Sequence, residues 1–265
     1  MMSDARKVNF GAIVVALGIA PSSAGAQEAS APGFIEVFDA RDWRRSWYLA
    51  DYDMGPKFVT GWRDEQVLDD GPGRIALALD PAPEDDTKPF AGAELRRSDG
   101  HHFGAYEAIL RPGRGDGLVS AFFTYTGPPF GDPHEEIDFE FLGRETSSVW
   151  INVFTKGEKM GGRLVPLGFD AAAAPHLYRM EWRPDEIVWF AAGEEIARVD
   201  AATFPIPDVP GRLFLSIWAG TPAMAEWLAP TPGDLRSRME VRCVSYRPAG
   251  TTGSECSDLP PGTWR

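Results

Sequence analysis

The chain has 265 residues and a formal net charge of −13, with 16 Phe, 9 Trp, 28 Gly and 23 Pro. Proline at this frequency works against long helices. A chain of this length can bury a full hydrophobic core without disulfides or metal ions to stabilise it. The negative charge opposes binding to nucleic acid or to anionic membranes. It fits a neutral polymer substrate, and it fits plain solubility equally well.

The first 26 residues have the pattern of a secretory signal peptide. Arg6 and Lys7 form a basic start, residues 8–20 are mostly apolar, and residues 24–26 read Ala-Gly-Ala, a typical cleavage site. The apolar run is shorter than the roughly 20 residues that span a membrane. We therefore predict that residues 1–26 are removed and that the protein is secreted or periplasmic, with a retained anchor as the alternative.

Short aromatic and β-branched segments dominate the rest of the chain, and Gly-Pro and Gly-Gly turns separate them. The pattern predicts strands over residues 74–79, 121–125, 136–142, 149–154, 187–190 and 213–218. Many short strands with turns between them are typical of an all-β sandwich or jelly roll. We predict one domain over residues 27–248, followed by a Pro- and Gly-rich extended tail over residues 249–265.

Two of these strands have an aliphatic face and a face that mixes polar and aromatic side chains. Residues two apart in a strand point to the same side. The aliphatic residues of 149–154 and 213–218 therefore share one face, and Asn152, Ser216 and Trp218 lie on the other. Aliphatic faces suit a core between two sheets. Mixed faces suit a sugar cleft, because pyranose rings have apolar C–H faces and hydroxyl edges.

Three carboxylates, Glu136, Asp138 and Glu140, lie on one face of the strand predicted over 136–142. Like charges this close oppose one another's ionisation, which is a cost to stability. Glycoside hydrolysis uses such a pair, with one carboxylate ionised and one protonated. The alternative is a solvated acidic strand face. Four residues of strand span about 13 Å between Cα atoms. The two Glu side chains can lean toward each other, which shortens the distance between their carboxyl groups. The spacing therefore favours a retaining pair over an inverting pair only weakly.

Residues 136–143, with the sequence Glu-Ile-Asp-Phe-Glu-Phe-Leu-Gly, resemble the signature of glycoside hydrolase family 16. The five-residue form of this signature is found in licheninases, plant xyloglucan transglycosylases and rhizobial exopolysaccharide glycanases. Segments 103–107, 122–128 and 167–170 also resemble licheninase segments, in the same order. The resemblance covers roughly residues 47–246.

The resemblance implies a β-jelly roll sandwich of two antiparallel sheets with a concave substrate cleft, and a retaining mechanism. It implies that Glu136 is the nucleophile, Asp138 the assisting acid and Glu140 the general acid/base. It also implies that sugar is contacted by Tyr52, Glu94, Arg96, Phe123, Tyr125, His134, Asn152, Ser216 and Trp218.

Several residues depart from the licheninase pattern. Met54 and Ser216 stand where licheninases have Asn, and His134 replaces a Trp. These changes remove hydrogen bonds and stacking area, so they bear on which linkage is preferred. Arg242 replaces an Asp that binds a structural calcium in relatives. We therefore predict no cofactor and no metal, with a structural calcium as an open alternative that Arg242 does not support.

The two cysteines, Cys243 and Cys256, lie near the C-terminus and belong to no metal-binding pattern. In an exported protein such a pair predicts a disulfide that ties the tail to the last strand, with two free thiols as the alternative.

The leading hypothesis is a secreted, monomeric, retaining endo-β-1,3-1,4-glucanase with no nucleic-acid or membrane partner. The alternatives are an endo-glycanase of a bacterial exopolysaccharide such as succinoglycan, a transglycosylase, and a glucan-binding module without catalytic activity. Reducing-end release separates the module from the enzymes, and product length with an added acceptor separates transfer from hydrolysis.

Overall fold

A computed structural model of the chain describes residues 32–39, 42–53, 55–56 and 58–260. The predicted signal peptide, the departure at Met54 and the last five residues of the predicted tail lie outside these ranges. Within them, no helix is both long enough and apolar enough to cross a membrane.

Strands make up most of the described chain. They are β1 (Phe34–Glu36), β2 (Trp47–Leu49), β3 (Tyr52–Asp53), β4 (Thr60–Trp62), β5 (Val67–Asp69), β6 (Ile75–Pro81), β7 (Phe90–Arg97), β8 (Gly104–Arg111), β9 (Leu118–Thr126), β10 (Glu135–Leu142), β11 (Ser148–Thr155), β12 (Glu158–Lys159), β13 (Arg163–Pro166), β14 (His176–Trp182), β15 (Glu186–Ala191), β16 (Glu194–Asp200), β17 (Arg212–Ala219) and β18 (Ser237–Pro248).

Helical structure in the described ranges is limited to short pieces. The α-helix α1 covers Ala225–Leu228, and 3-10 turns cover Trp43–Ser46, Asp64–Gln66, Pro128–Phe130, Pro222–Met224 and Cys256–Asp258. The six predicted strands are found as β6, β9, β10, β11, β15 and β17, each with bounds within three residues of the prediction.

Two antiparallel sheets form the sandwich. The front sheet has the order β13-β11-β10-β9-β17-β7-β2. The back sheet has the order β16-β15-β14-β8-β18-β6-β5, and β1 also pairs with β18. This arrangement confirms the predicted all-β sandwich of two antiparallel sheets and places β10 in the middle of the front sheet.

The aliphatic faces predicted from the alternation pack between the sheets. Val149, Ile151 and Val153 of β11 are fully buried, as are Leu213, Leu215 and Ile217 of β17. The back sheet also holds β10 directly, because Trp189 Nε1 donates a hydrogen bond to the backbone oxygen of Asp138 at 3.0 Å. The opposite, mixed face of the front sheet is therefore the one available to a ligand.

Part of the segment after β18 is folded against the back sheet. Cys243 and Cys256 form a disulfide with a Cα–Cα distance of 5.8 Å. Beside it, Arg247 and Arg179 pair with Glu255 at 2.8 and 3.2 Å. Residues 256–258 form a 3-10 turn, so an extended conformation was wrong for these three residues, whereas residues 249–254 are exposed.

Candidate active site

A groove on the front sheet contains all three acids predicted from the sequence. Its volume is about 520 Å³, including space open to solvent, and it is lined by Phe58, Trp62, Glu94, Ala121, Phe123, Tyr125, Glu136, Asp138, Glu140, Phe214, Ser216 and Trp218. The period-two alternation of β10 explains why Glu136, Asp138 and Glu140 share this face.

Asp138 is held between its two neighbouring strands. It lies opposite Phe123 of β9 and Asn152 of β11. The Asn152 side chain donates toward the Asp138 carboxyl group, and Asp138 is also hydrogen-bonded to Glu136. Asp138 therefore links the groove floor to the carboxylate of Glu136.

Two of the three acids resist ionisation. Burial, followed by the charge of Glu136, raises the pKa of Glu140 to about 8. Burial and the charges of Glu136 and Glu140 raise the pKa of Asp138 well above its usual range. Glu140 therefore holds its proton at neutral pH. Glu140 is nevertheless only partly buried by its neighbours, so a substrate oxygen can reach it.

His134 contacts the carboxylate of Glu136 directly. Its Nε2 lies 2.6 Å from Glu136 Oε2, and both side chains are buried. The imidazole stacks on Phe154, with ring centroids 4.4 Å apart, and Tyr125 packs edge-on against it at 5.3 Å. These rings fix the imidazole in hydrogen-bond reach of Glu136.

A fourth acid, Glu94, lies across the groove. Tyr52 donates a hydrogen bond to Glu94 Oε1 at 2.8 Å. Burial raises the pKa of Glu94 to about 7, although the Tyr52 hydrogen bond and the nearby Arg96 act in the opposite direction. The Arg96 guanidinium lies 4.3 Å from the centroid of the Tyr48 ring. Glu94 can thus meet a sugar hydroxyl as donor or acceptor near neutral pH.

The predicted sugar-contacting residues fall into two groups. Glu94, Phe123, Tyr125, Ser216 and Trp218 line the groove together with the acids. The other four support them: Tyr52 bonds to Glu94, His134 contacts Glu136, Asn152 donates toward Asp138, and Arg96 lies close enough to Glu94 to favour its ionised form.

Four residues of the groove lining were not among the predicted sugar contacts. Phe214 stacks on Phe123 at 5.0 Å, and its alternation with Ser216 on β17 already places it on this face. Ala121 occupies the equivalent face of β9. Phe58 and Trp62 enter from the region of β4, which runs parallel to β7, and no periodic signal in the sequence points to them.

Arg242, where the family resemblance implies a calcium-binding Asp, is paired with an acid of the protein. Arg242 Nε donates to Glu240 Oε1 at 2.6 Å, and Arg111 pairs with Glu240 at 3.0 Å. Among the described residues, no three His, Cys, Asp or Glu side chains are grouped so as to hold a metal ion. A guanidinium does not ligate a metal ion, so position 242 supplies no calcium ligand.

The sequence matches the family model described as Glycosyl hydrolases family 16 over residues 54–234. The chain belongs to glycosyl hydrolase family 16. It is therefore a glycoside hydrolase, and the predicted resemblance is confirmed. A β-glucanase from Bacillus subtilis is 39% identical over 187 residues, which cover 69% of this chain and 73% of the relative. A β-glucanase from Bacillus licheniformis is 34% identical over 87% of this chain and 92% of its own length.

Solved structures of this family 16 protein's relatives have the same fold. The Bacillus licheniformis β-glucanase superimposes with a TM-score of 0.76 at 33% identity, covering 83% of this chain and 99% of that one. A β-1,3-1,4-glucanase (lichenase) from a mouse hindgut metagenome gives a TM-score of 0.76 at 35% identity, covering 82% of this chain and 99% of the other. The predicted jelly roll is thereby confirmed.

Proposed function

We propose that this family 16 enzyme is an endo-β-1,3-1,4-glucanase that hydrolyses its substrate with retention of configuration. The proposal rests on one face of β10, where Glu136, Asp138 and Glu140 line a single groove. Of these, Glu140 holds a proton at neutral pH. The choice of substrate rests on the β-glucanase and lichenase relatives at 33–39% identity.

In the proposed reaction, Glu140 donates its proton to the leaving glycosidic oxygen while the Glu136 carboxylate attacks the anomeric carbon. A covalent glycosyl-enzyme forms and the leaving chain departs with the proton. The Glu140 carboxylate then takes a proton from water, whose oxygen displaces Glu136. Glycosylation neutralises Glu136, and this loss of charge lowers the pKa of Glu140 for its second role.

The remaining side chains orient the reacting groups. Asp138 is hydrogen-bonded to Glu136, and His134 Nε2 contacts Glu136 Oε2. Trp218 and Phe123 offer flat apolar surfaces to sugar rings, whereas Glu94 offers a partner for a hydroxyl group. We propose that the enzyme works outside the cytoplasm, in agreement with the N-terminal signal pattern and with the disulfide.

A substrate panel tests the proposed function. Lichenan, barley β-glucan, laminarin and succinoglycan are digested in parallel, and new reducing ends and product lengths are measured. We expect rapid release of short oligosaccharides from lichenan and barley β-glucan only. Preferred cleavage of succinoglycan or laminarin contradicts the proposed substrate, and longer products with an added acceptor indicate a transglycosylase. Binding without new reducing ends contradicts catalysis.

A further inference from the structure

A second recess adjoins the groove at the Glu140 end of β10. Trp150 of β11 lies directly opposite Glu140 in the strand register. The recess has a volume of about 660 Å³, including space open to solvent, and its lining includes Trp150, Trp227, Leu164, Arg144, Glu145 and Glu226. None of these residues has a role in the reaction described above.

A row of aromatic rings connects the groove to the recess. Phe58 and Trp218, both in the groove lining, have ring centroids 6.0 Å apart. Trp218 lies 6.2 Å from Trp227, and Trp227 lies 5.7 Å from Trp150. The apolar surface on which a polysaccharide can stack therefore continues from the groove into the recess.

Both tryptophans of the recess are fixed in place. The indole of Trp150 lies against Gly162, where an added Cβ atom would fall 2.2 Å from its Nε1 atom. Arg144 donates to the backbone oxygens of Glu226 and Trp227 at 3.3 and 3.4 Å, which ties α1 to the turn after β10. The two rings remain only partly buried, and they meet in a T-shaped arrangement with an interplanar angle of 62°.

The composition of the recess matches a pyranose ring. Trp150 and Trp227 offer apolar faces, Leu164 is an exposed large apolar side chain at 43%, and charged groups of both signs stand at the rim. Sugar rings have the same combination of apolar faces and hydroxyl edges. The continuity of these rings with the groove indicates that the polymer in the groove occupies the recess.

We propose that Trp150 and Trp227 form an additional glucosyl-binding subsite, which holds the part of a β-glucan chain that extends beyond the Glu140 end of the groove. The inference rests on the proposed function, because it takes the β-glucan as the occupant. The subsite favours long chains over short ones and contributes to binding rather than to bond cleavage.

The test compares Trp150→Ala and Trp150→Phe with the wild-type enzyme on two substrates. Barley β-glucan is long enough to reach the recess, whereas a short mixed-linkage oligosaccharide with a chromogenic leaving group fills the groove alone. We expect Trp150→Ala to raise KM for the polymer about tenfold, since one stacked ring is lost, with kcat unchanged. The short substrate should be cleaved as by the wild type, and Trp150→Phe should recover most of the affinity.

A matched control is Phe169→Ala, which removes a partly buried ring that stacks on His176 at 4.1 Å and lies outside both linings. It should leave KM for the polymer unchanged. Equal losses on polymer and short substrate with Trp150→Ala, or a KM for the polymer within about twofold of the wild-type value, overturn the subsite. If the wild type itself releases no reducing ends from β-glucan, the proposed function has failed instead.

Discussion

His134 Nε2 lies 2.6 Å from Glu136 Oε2, so the carboxylate proposed as the nucleophile has a buried imidazole as its direct partner. Phe154 and Tyr125 pack against the ring and hold it there. Glu136 is also hydrogen-bonded to Asp138. The proposed nucleophile thus has two side-chain partners, and each partner is contacted by a neighbouring strand.

Substitution of His134 tests this contact. Removing the imidazole leaves a buried carboxylate without one of its partners, which costs about 1–3 kcal/mol. We expect His134→Ala to lower kcat roughly tenfold to a hundredfold with little change in KM, and His134→Gln, which keeps a donor, to lose much less. Steady-state kinetics on barley β-glucan measure both values. Equal effects of the two substitutions would argue against a role for the hydrogen bond.

Azide separates the roles of the two glutamates. Glu136→Ala should be nearly inactive, and azide in its cavity should restore turnover and yield an α-glycosyl azide. Glu140→Ala still forms the covalent intermediate on an activated aryl glycoside, so azide should give a β-glycosyl azide. NMR of the purified products distinguishes the anomers. Exchanged products would reverse the two roles.

The raised pKa of Glu140 makes the fold less stable as pH increases. The group ionises near 4.5 when unfolded and near 8 when folded. Between these values the folded state binds more protons, so the free energy of unfolding falls as pH rises. We expect Glu140→Gln to gain stability over the wild type between pH 5 and pH 8 by at least about 1 kcal/mol, or roughly 2–4 °C in Tm.

The exposed Glu65 supplies the control for this measurement. Thermal unfolding of Glu65→Gln should differ from the wild type by the same amount at every pH. A Tm difference for Glu140→Gln that stays constant from pH 5 to pH 8, or that shrinks toward pH 8, would contradict the raised pKa.

The disulfide should stabilise the domain without affecting the chemistry. Cys243 and Cys256 are 13 residues apart, and closing a loop of about this length contributes roughly 3 kcal/mol by constraining the unfolded chain. We expect reduction to lower Tm by roughly 6–12 °C while room-temperature activity is kept. The Cys243→Ala/Cys256→Ala double variant should no longer respond to reductant. If reduction leaves the Tm of the wild type unchanged, the disulfide does not stabilise the domain as predicted.

Period-two alternation accounts for what the sequence predicts well. It places Glu136, Asp138 and Glu140 on one face, and it identifies the aliphatic faces of β11 and β17 that form the core. It works because strands in a sandwich bury one face and expose the other. The alternation of β17 also contains the signal for Phe214, which lies on the face of Ser216 and Trp218.

Contacts between distant segments could not be predicted in this way. Tyr52 reaches Glu94 across 42 residues, and Glu135 accepts hydrogen bonds from the backbone of Asp208 and Val209, 73 and 74 residues away. The docking of the tail beside Arg179 is of the same kind. These contacts depend on how the sheets and loops come together, and local periodicity carries no information about that.

The anomeric configuration of the first product tests the central claim most directly. Barley β-glucan is hydrolysed inside an NMR tube by a high concentration of the wild-type enzyme, and the anomeric protons are followed before mutarotation equilibrates them. Two displacements by Glu136 and water predict that the β-anomer appears first and the α-anomer follows slowly. The α-anomer appearing first would mean a single displacement, and the assignment of Glu136 as nucleophile and Glu140 as acid/base would be wrong.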